Sequence, residues 1–179
     1  MRVLKNITVF SSLIVFMRVL FGIGWLLAGV TKITASHWFM EPGIFLRTYL
    51  TESLQNPNTP TFYKIFIENI ALENVMILNY AIPIVQIVLG LFLIVGLFTI
   101  PSTLICLFMH INFILSGNMN FMSLILYTSA FSLIIFRTDA YHFSLDNYFH
   151  LNILLTFREN KSKKLVSMVP NKENLSTNS

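Results

Sequence analysis

The 179 residues are 55% hydrophobic, 14% aromatic and only 11% charged, against about 25% charged in an average soluble domain. That composition excludes a soluble globular enzyme and, with too little charge and too much hydrophobicity, a disordered regulator; it leaves an integral membrane protein. The lone Cys106 excludes a disulfide framework, a CxxC redox pair and a thiolate metal cage, and the basic residues gather at the two ends of the chain, as topology signals do, not along a nucleic-acid-binding face.

Residues 7–30 form an apolar run whose only charge is Arg18. It exceeds the about 20 helical residues that cross a hydrocarbon core and the about 7–15 residues of a signal-peptide apolar region, which predicts a first transmembrane helix. Further spans are predicted at 76–98, 101–115 and 121–136, the last two short enough to stand nearly upright. Pro101 suits the first turn of the third span, and Asn118 to Asn120, after Gly117, separate the third from the fourth. Connections this short force antiparallel neighbours, so the expected fold is all-α, a four-helix transmembrane bundle running up-down-up-down.

Arg2 and Lys5 precede the first span, and Arg137, Arg158, Lys161, Lys163 and Lys164 follow the fourth. By the positive-inside rule both termini are expected in the cytoplasm of a multi-pass protein of the plasma membrane. Residues 1–157 make the membrane domain; 158–179, rich in Lys, Asn and Ser, read as a disordered cytoplasmic tail.

Residues 32–75 are the long outer segment, with Lys32, Arg47 and Lys64 against Glu41, Glu52, Glu68 and Glu73. Two short amphipathic helices are predicted in it. The first puts Phe45, Leu46, Tyr49, Leu50 and Leu54 on one face; the second, capped by Thr59 with Pro60 at its first position, puts Phe62, Phe66 and Ile70, with Ile67 beside them, on one side and Lys64, Glu68 and Asn74 on the polar side. They lie on the outer interface, cap the bundle mouth or dock a partner.

Polar residues inside the spans fall into stripes at helical spacing: Arg18, Gly22, Trp25, Gly29 and Lys32; Asn79, Pro83, Gln86 and Gly90; Thr103, Cys106, His110 and Gly117; Ser123, Tyr127 and Ala130. Ionisable groups in a bilayer face the bundle interior, and glycines allow close approach there. Counted from the predicted span ends at about 1.5 Å per residue, Arg18, Gln86 and His110 reach nearly the same level. With Tyr127 they are the candidate ligand-binding residues. No Asp or Glu lies in a span, so the group is either interhelical glue or completed by an anionic or carbonyl-bearing ligand. Lys32, His37, Asn112, Asn118 and Asn120 form a second polar group at the outer end, where Trp38 reads as an interface anchor and Lys32 as a snorkelling side chain. Asp146 sits where it would compensate the dipole of a short helix at 145–157. One in-span histidine is too few for a bis-histidine haem, and no metal site is expected.

The run Arg18-Val-Leu-Phe-Gly22-Ile-Gly-Trp25-Leu-Leu-Ala-Gly29-Val-Thr-Lys32 resembles the first helix of the DoxX/DoxD-like integral membrane proteins. Four further segments match in order: Phe66-Ile-Glu68-Asn69-Ile-Ala-Leu72-Glu-Asn74; Gln86-Ile-Val-Leu-Gly90 on to Gly96-Leu-Phe-Thr99; Phe108-Met109-His-Ile-Asn112-Phe113-Ile-Leu-Ser-Gly117; and Ser144-Leu145-Asp146. The resemblance implies a membrane subunit of a quinone-linked oxidoreductase system with electrons supplied by a redox partner protein; joined to the polar residues above, it gives the expectation that Arg18, Gln86 and His110 hold a quinone head group or small anion. Gln86 stands where the family commonly has Glu, which removes a proton acceptor. A non-catalytic scaffold recruiting a redox or stress enzyme and a small transporter, as a homo-oligomer, are the other readings; the bilayer is a partner in all three.

Overall fold

The computed structural model describes residues 2–35, 38–117, 121–140 and 144–148. Among them the chain is helical with no strand: α1 (Arg2–Thr34), α2 (Ile44–Gln55), α3 (Thr61–Phe66), α4 (Val75–Val95), α5 (Thr99–Leu115), α6 (Phe121–Ile135), and the single turns α7 (Arg137–Ala140) and α8 (Leu145–Tyr148). The α3 helix runs on into a π-helical turn, Ile67–Ala71. Two helical stretches, Val9–Thr34 and Val75–Val95, are long and apolar enough to cross a membrane; Thr99–Leu115 and Ser123–Ile135 are apolar but shorter. The residues proposed for a disordered tail lie outside the described ones.

The α1 helix is longer at both ends than the expected 7–30. Its axial length of roughly 50 Å exceeds a hydrocarbon core of about 30 Å. The α4 helix stops at Val95 because Gly96 takes a left-handed conformation (φ 71°). Phe98, also left-handed (φ 47°), turns the chain, and α5 starts at Thr99, two residues earlier than expected. Pro101 stays within the first turn, where its missing N–H removes no helical bond.

The principal interface is between α1 and α4, which run antiparallel. Glycines set its register. A Cβ at Gly22 would lie 2.9 Å from the Gly90 carbonyl oxygen, one at Gly90 would lie 2.6 Å from the Leu26 nitrogen, and one at Gly29 would lie 2.8 Å from the Pro83 oxygen. These are backbone atoms, so the two helices touch main chain to main chain. On this pair α5 packs against α4 and α6, and α6 and α7 pack against α1. The shared core holds Ile14, Phe21, Trp25, Leu89, Leu93, Cys106 and Leu133.

A second core lies under α2 and α3, built from Trp38, Leu46, Leu50, Tyr63, Ile67, Ala71 and Val75. Both amphipathic helices form, with altered faces. In α2, Leu46, Leu50 and Ser53 are buried while Phe45 is exposed. In α3 and its π-turn the buried series is Tyr63, Ile67 and Ala71; Phe62, Phe66 and Ile70 point outward. The expectation equated apolar with inward, but this helix is apolar on both sides, and Tyr63 takes the inside because its hydroxyl finds an acceptor there, Asn112 Oδ1 at 3.2 Å. Thr59 does not cap α3: Pro60 is the N-cap, its carbonyl accepting from Tyr63 and Lys64 N–H. Trp38 is 2% exposed beneath α2, a core residue and not an interface anchor, and its carbonyl accepts from Asn79 Nδ2 at 2.7 Å.

The glycine contacts yield a paired expectation. Gly90→Ala forces backbone apart on both sides and should destabilise the folded protein by about 1–3 kcal/mol. Gly24→Ala, with nothing within 4 Å of its Cβ position, should be neutral or stabilising by up to about 1 kcal/mol. Thermal unfolding in detergent separates the two variants.

Candidate functional site

The four polar stripes are turned inward. Arg18, Asn79, Gln86, Thr103, His110 and Ser123 are buried, whereas Leu20, Leu27, Ile84, Leu91, Leu104, Phe108, Leu124 and Phe131 are exposed. The stripes do not meet at one level. With Gly29 beside Gln86 and Gly22 beside Gly90, Arg18 stands opposite Gly96, at the far end of α4. Arg18 and Gly29 are eleven residues apart on one helix, roughly 16 Å along its axis. Counting depth from the edge of the apolar run misplaced Arg18, because α1 extends well past the end of α4 before the two helices pair.

Arg18 belongs instead to a closed polar knot at the α4–α5 corner. Its Nη1 donates to the Ala140 carbonyl, its guanidinium lies over Gly96 beside Ser144, and its charge interacts with that of Asp146. Asp146 is 3% exposed. One carboxylate oxygen accepts from Phe98 N–H at 2.7 Å, the other from Thr99 N–H at 2.8 Å, and its own N–H donates to the Gly96 carbonyl at 3.0 Å. Asp146 therefore compensates a helix dipole as expected, but that of α5, whose first N–H groups it caps from more than forty residues away. A Cβ at Gly96 would fall 2.5 Å from Ser144 and 2.8 Å from Arg18 Nη1, so the positive φ and the crowding both require glycine.

At the other end of the same helices a chamber of about 350 Å³ is lined by Trp25, Lys32, Tyr49, Gln86, His110 and Ser123, with Gly24, Ala28, Phe113 and Leu126 completing the wall. Gln86 and His110 are thus together, and Lys32, not Arg18, is the cation beside them. Lys32 does not snorkel. Its Nζ turns back to the Ala28 carbonyl at 3.3 Å and lies 5.4 Å from the Phe113 ring centroid and 5.9 Å from that of Trp38, a cation held between aromatic faces. The His110 Nε2 meets the Ser123 carbonyl at 3.1 Å. A carbonyl only accepts, so Nε2 carries the proton and neutral His110 keeps Nδ1 as an acceptor. Tyr127 packs edge to face on the imidazole (4.9 Å, 72°) and fixes its plane from behind without lining the chamber.

Two buried groups of this wall lack a hydrogen-bond partner: Gln86 Oε1 and Trp25 Nε1. Leaving such groups unmet costs about 1–3 kcal/mol each; both atoms are closed off from solvent, so the group the chamber offers to whatever enters it is Lys32, with its remaining protons. Among the described residues no three His, Cys, Asp or Glu side chains gather as a metal site.

Asn112 sits toward the α2–α3 end, donating to the Phe108 carbonyl and accepting from Tyr63. Asn118, His37 and Asn120 lie outside the described residues. Tyr49 was not anticipated as a site residue; its hydroxyl pairs with Ser116 Oγ at 2.6 Å, and the only signal for it was a hydroxyl on the predicted apolar face of α2. No family model, curated protein or solved structure matches the chain.

Two outcomes follow. Asn keeps one acceptor oxygen where Asp146 uses two, so Asp146→Asn removes the charge opposite Arg18 and one of the two cap bonds, while Asp146→Ala removes the charge and both bonds. Loss of a buried ionic partner costs about 3–5 kcal/mol, so both variants should unfold at lower denaturant, Asp146→Ala furthest. Burial foremost, and then the neighbouring Tyr49, push the Tyr63 hydroxyl up to about 12 from its ordinary 10.0. A raised folded value means that stability is intact below pH 10 and drains away as pH climbs towards 12. Tyr63→Phe should remove that alkaline loss, read as unfolding against pH, at a constant cost of about 1 kcal/mol for the missing hydrogen bond.

Proposed function

We propose that this chain is a DoxX-like integral membrane protein in which α1, α4, α5 and α6 cross the plasma membrane as an up-down-up-down bundle. Both termini are cytoplasmic and α2 and α3 cap the outer end. Its chamber binds a quinone head group or a small anion, and the protein serves as the membrane subunit of an oxidoreductase system.

The observation that carries this reading is the chamber of about 350 Å³ lined by Lys32, Gln86 and His110. Its volume falls at the small end of ligand pockets, about 300–1,000 Å³. The distribution of polarity supports the bilayer setting: the helices bury Arg18, Asn79, Gln86 and His110 and expose Leu, Ile and Phe, the reverse of what water favours. Lys32 presents a donor to a carbonyl or anionic oxygen. Gln86 receives a donor from the ligand or, turned over, gives one. The chain's contribution is position and polarity; a partner supplies the electrons.

The test is a titration of the purified protein with a naphthoquinone head group and, separately, with sulfate. Lys32→Met keeps the length of the side chain and removes its charge; it should weaken the better ligand at least tenfold, as should Gln86→Leu, while Lys64→Met on α3 should bind as the parent does. Equal binding by Lys32→Met and the parent would sink the assignment.

A further inference from the structure

A second chamber, of about 230 Å³, adjoins the first and shares Tyr49 and Phe113 with it. Its chemistry is opposite. The wall is built from Leu, Ile, Ala, Phe and Met side chains of α2, α3, α4 and α5, and the polar groups at its edge already satisfy one another: Tyr63 donates to Asn112, and Tyr49 pairs with Ser116. Water needs two or more polar partners to be held in a cavity, and an apolar void of only about 150 Å³ stays dry and takes up benzene. The chamber also has a mouth. Phe66 and Phe108 line it and are themselves 36% and 67% exposed, so it reaches the apolar outer surface between α3 and α5.

Resting on the reading of the polar chamber as a ligand site, we propose that both chambers hold one lipid-borne amphiphile, with an oxygen-bearing head at Lys32 and Gln86 and a single hydrocarbon chain in the apolar chamber. The ligand enters sideways from the bilayer past Phe66 and Phe108, and Tyr49 and Phe113 form the neck between head and chain. A chain leaving lipid gains no hydrophobic energy; it gains the dispersion contacts that an unfilled void forfeits. The neck therefore selects by fit, and a free inorganic anion leaves the second chamber unused. A fatty carboxylate and a quinone with an alkyl chain share this chemistry.

Two probes carrying a diazirine at the chain end, decanoate and a decyl benzoquinone, test it on the full protein in lipid nanodiscs. At least one probe should label the segments 78–82 or 108–113. The label should be competed by its own unlabelled chain-bearing parent at a concentration at least tenfold below that needed of acetate or plain benzoquinone, and the probe that succeeds identifies the head. Ala71→Phe, which fills the apolar chamber, should cut that label at least tenfold; Leu78→Trp, at a half-buried position, does the same should Ala71→Phe fail to fold. Labelling confined to outward residues such as Leu104, Ile105 and Leu124, or unaltered in a folded filling variant, overturns the proposal. Protection of Lys32 from an amine reagent tells the two readings apart. Protection by benzoquinone or acetate with no advantage from a chain leaves the polar site standing and refutes the amphiphile, whereas no protection by any of the four compounds refutes both.

Discussion

Main-chain contact between α1 and α4 through Gly22, Gly29 and Gly90 is the constraint on which the other arrangements depend. Such a contact admits almost no sliding, because displacement by one turn would drive side chains of about 5 Å reach into carbonyl oxygens. Once fixed, it decides which polar residue of α1 faces which residue of α4. Arg18 is carried to the Gly96 corner and Lys32 to the level above Gln86. The division of the molecule into a polar knot at one end and a polar chamber at the other is therefore a consequence of three glycines.

The two ends use polarity differently. At the corner, the knot is closed: Asp146 spends both carboxylate oxygens on α5 N–H groups, and Arg18 meets the Ala140 carbonyl and the charge of Asp146. Such an arrangement fixes geometry and presents little to a ligand. At the chamber, Lys32 Nζ has the Ala28 carbonyl and the faces of Phe113 and Trp38 for neighbours and borders an open cavity. The contrast is between a cation enclosed by hydrogen bonds and a carboxylate at one end and a cation beside a cavity at the other.

Much of this was legible in the sequence. The four stripes lie on the buried faces, since in apolar helices the polar and small residues are the informative minority, and the periodicity of Asn79, Pro83, Gln86 and Gly90 leaves little freedom. Helix existence followed from apolar length. What one-dimensional counting could not supply was the relative shift of α1 against α4, because both runs are apolar well beyond the region where they touch. The same blindness misplaced part of the face of α3: Ile67 is buried as expected, but Phe62 and Phe66 read as core only where the exterior is assumed polar. The pairing of Asp146 with the start of α5 was unreadable for another reason. Its cap box is assembled from two distant segments, and no local spacing announces it.

The Arg18 contact has a consequence for biosynthesis. Its acceptor at Ala140 lies 122 residues downstream, so α1 and α4 can emerge and pair long before the guanidinium has its final neighbours. Until α7 and the Asp146 segment arrive, the nascent chain carries an exposed cation at the end of an otherwise complete helix pair. A chain ending before residue 140 would keep the residues of the glycine seam and lack the Ala140 carbonyl and Asp146 that Arg18 meets at the corner.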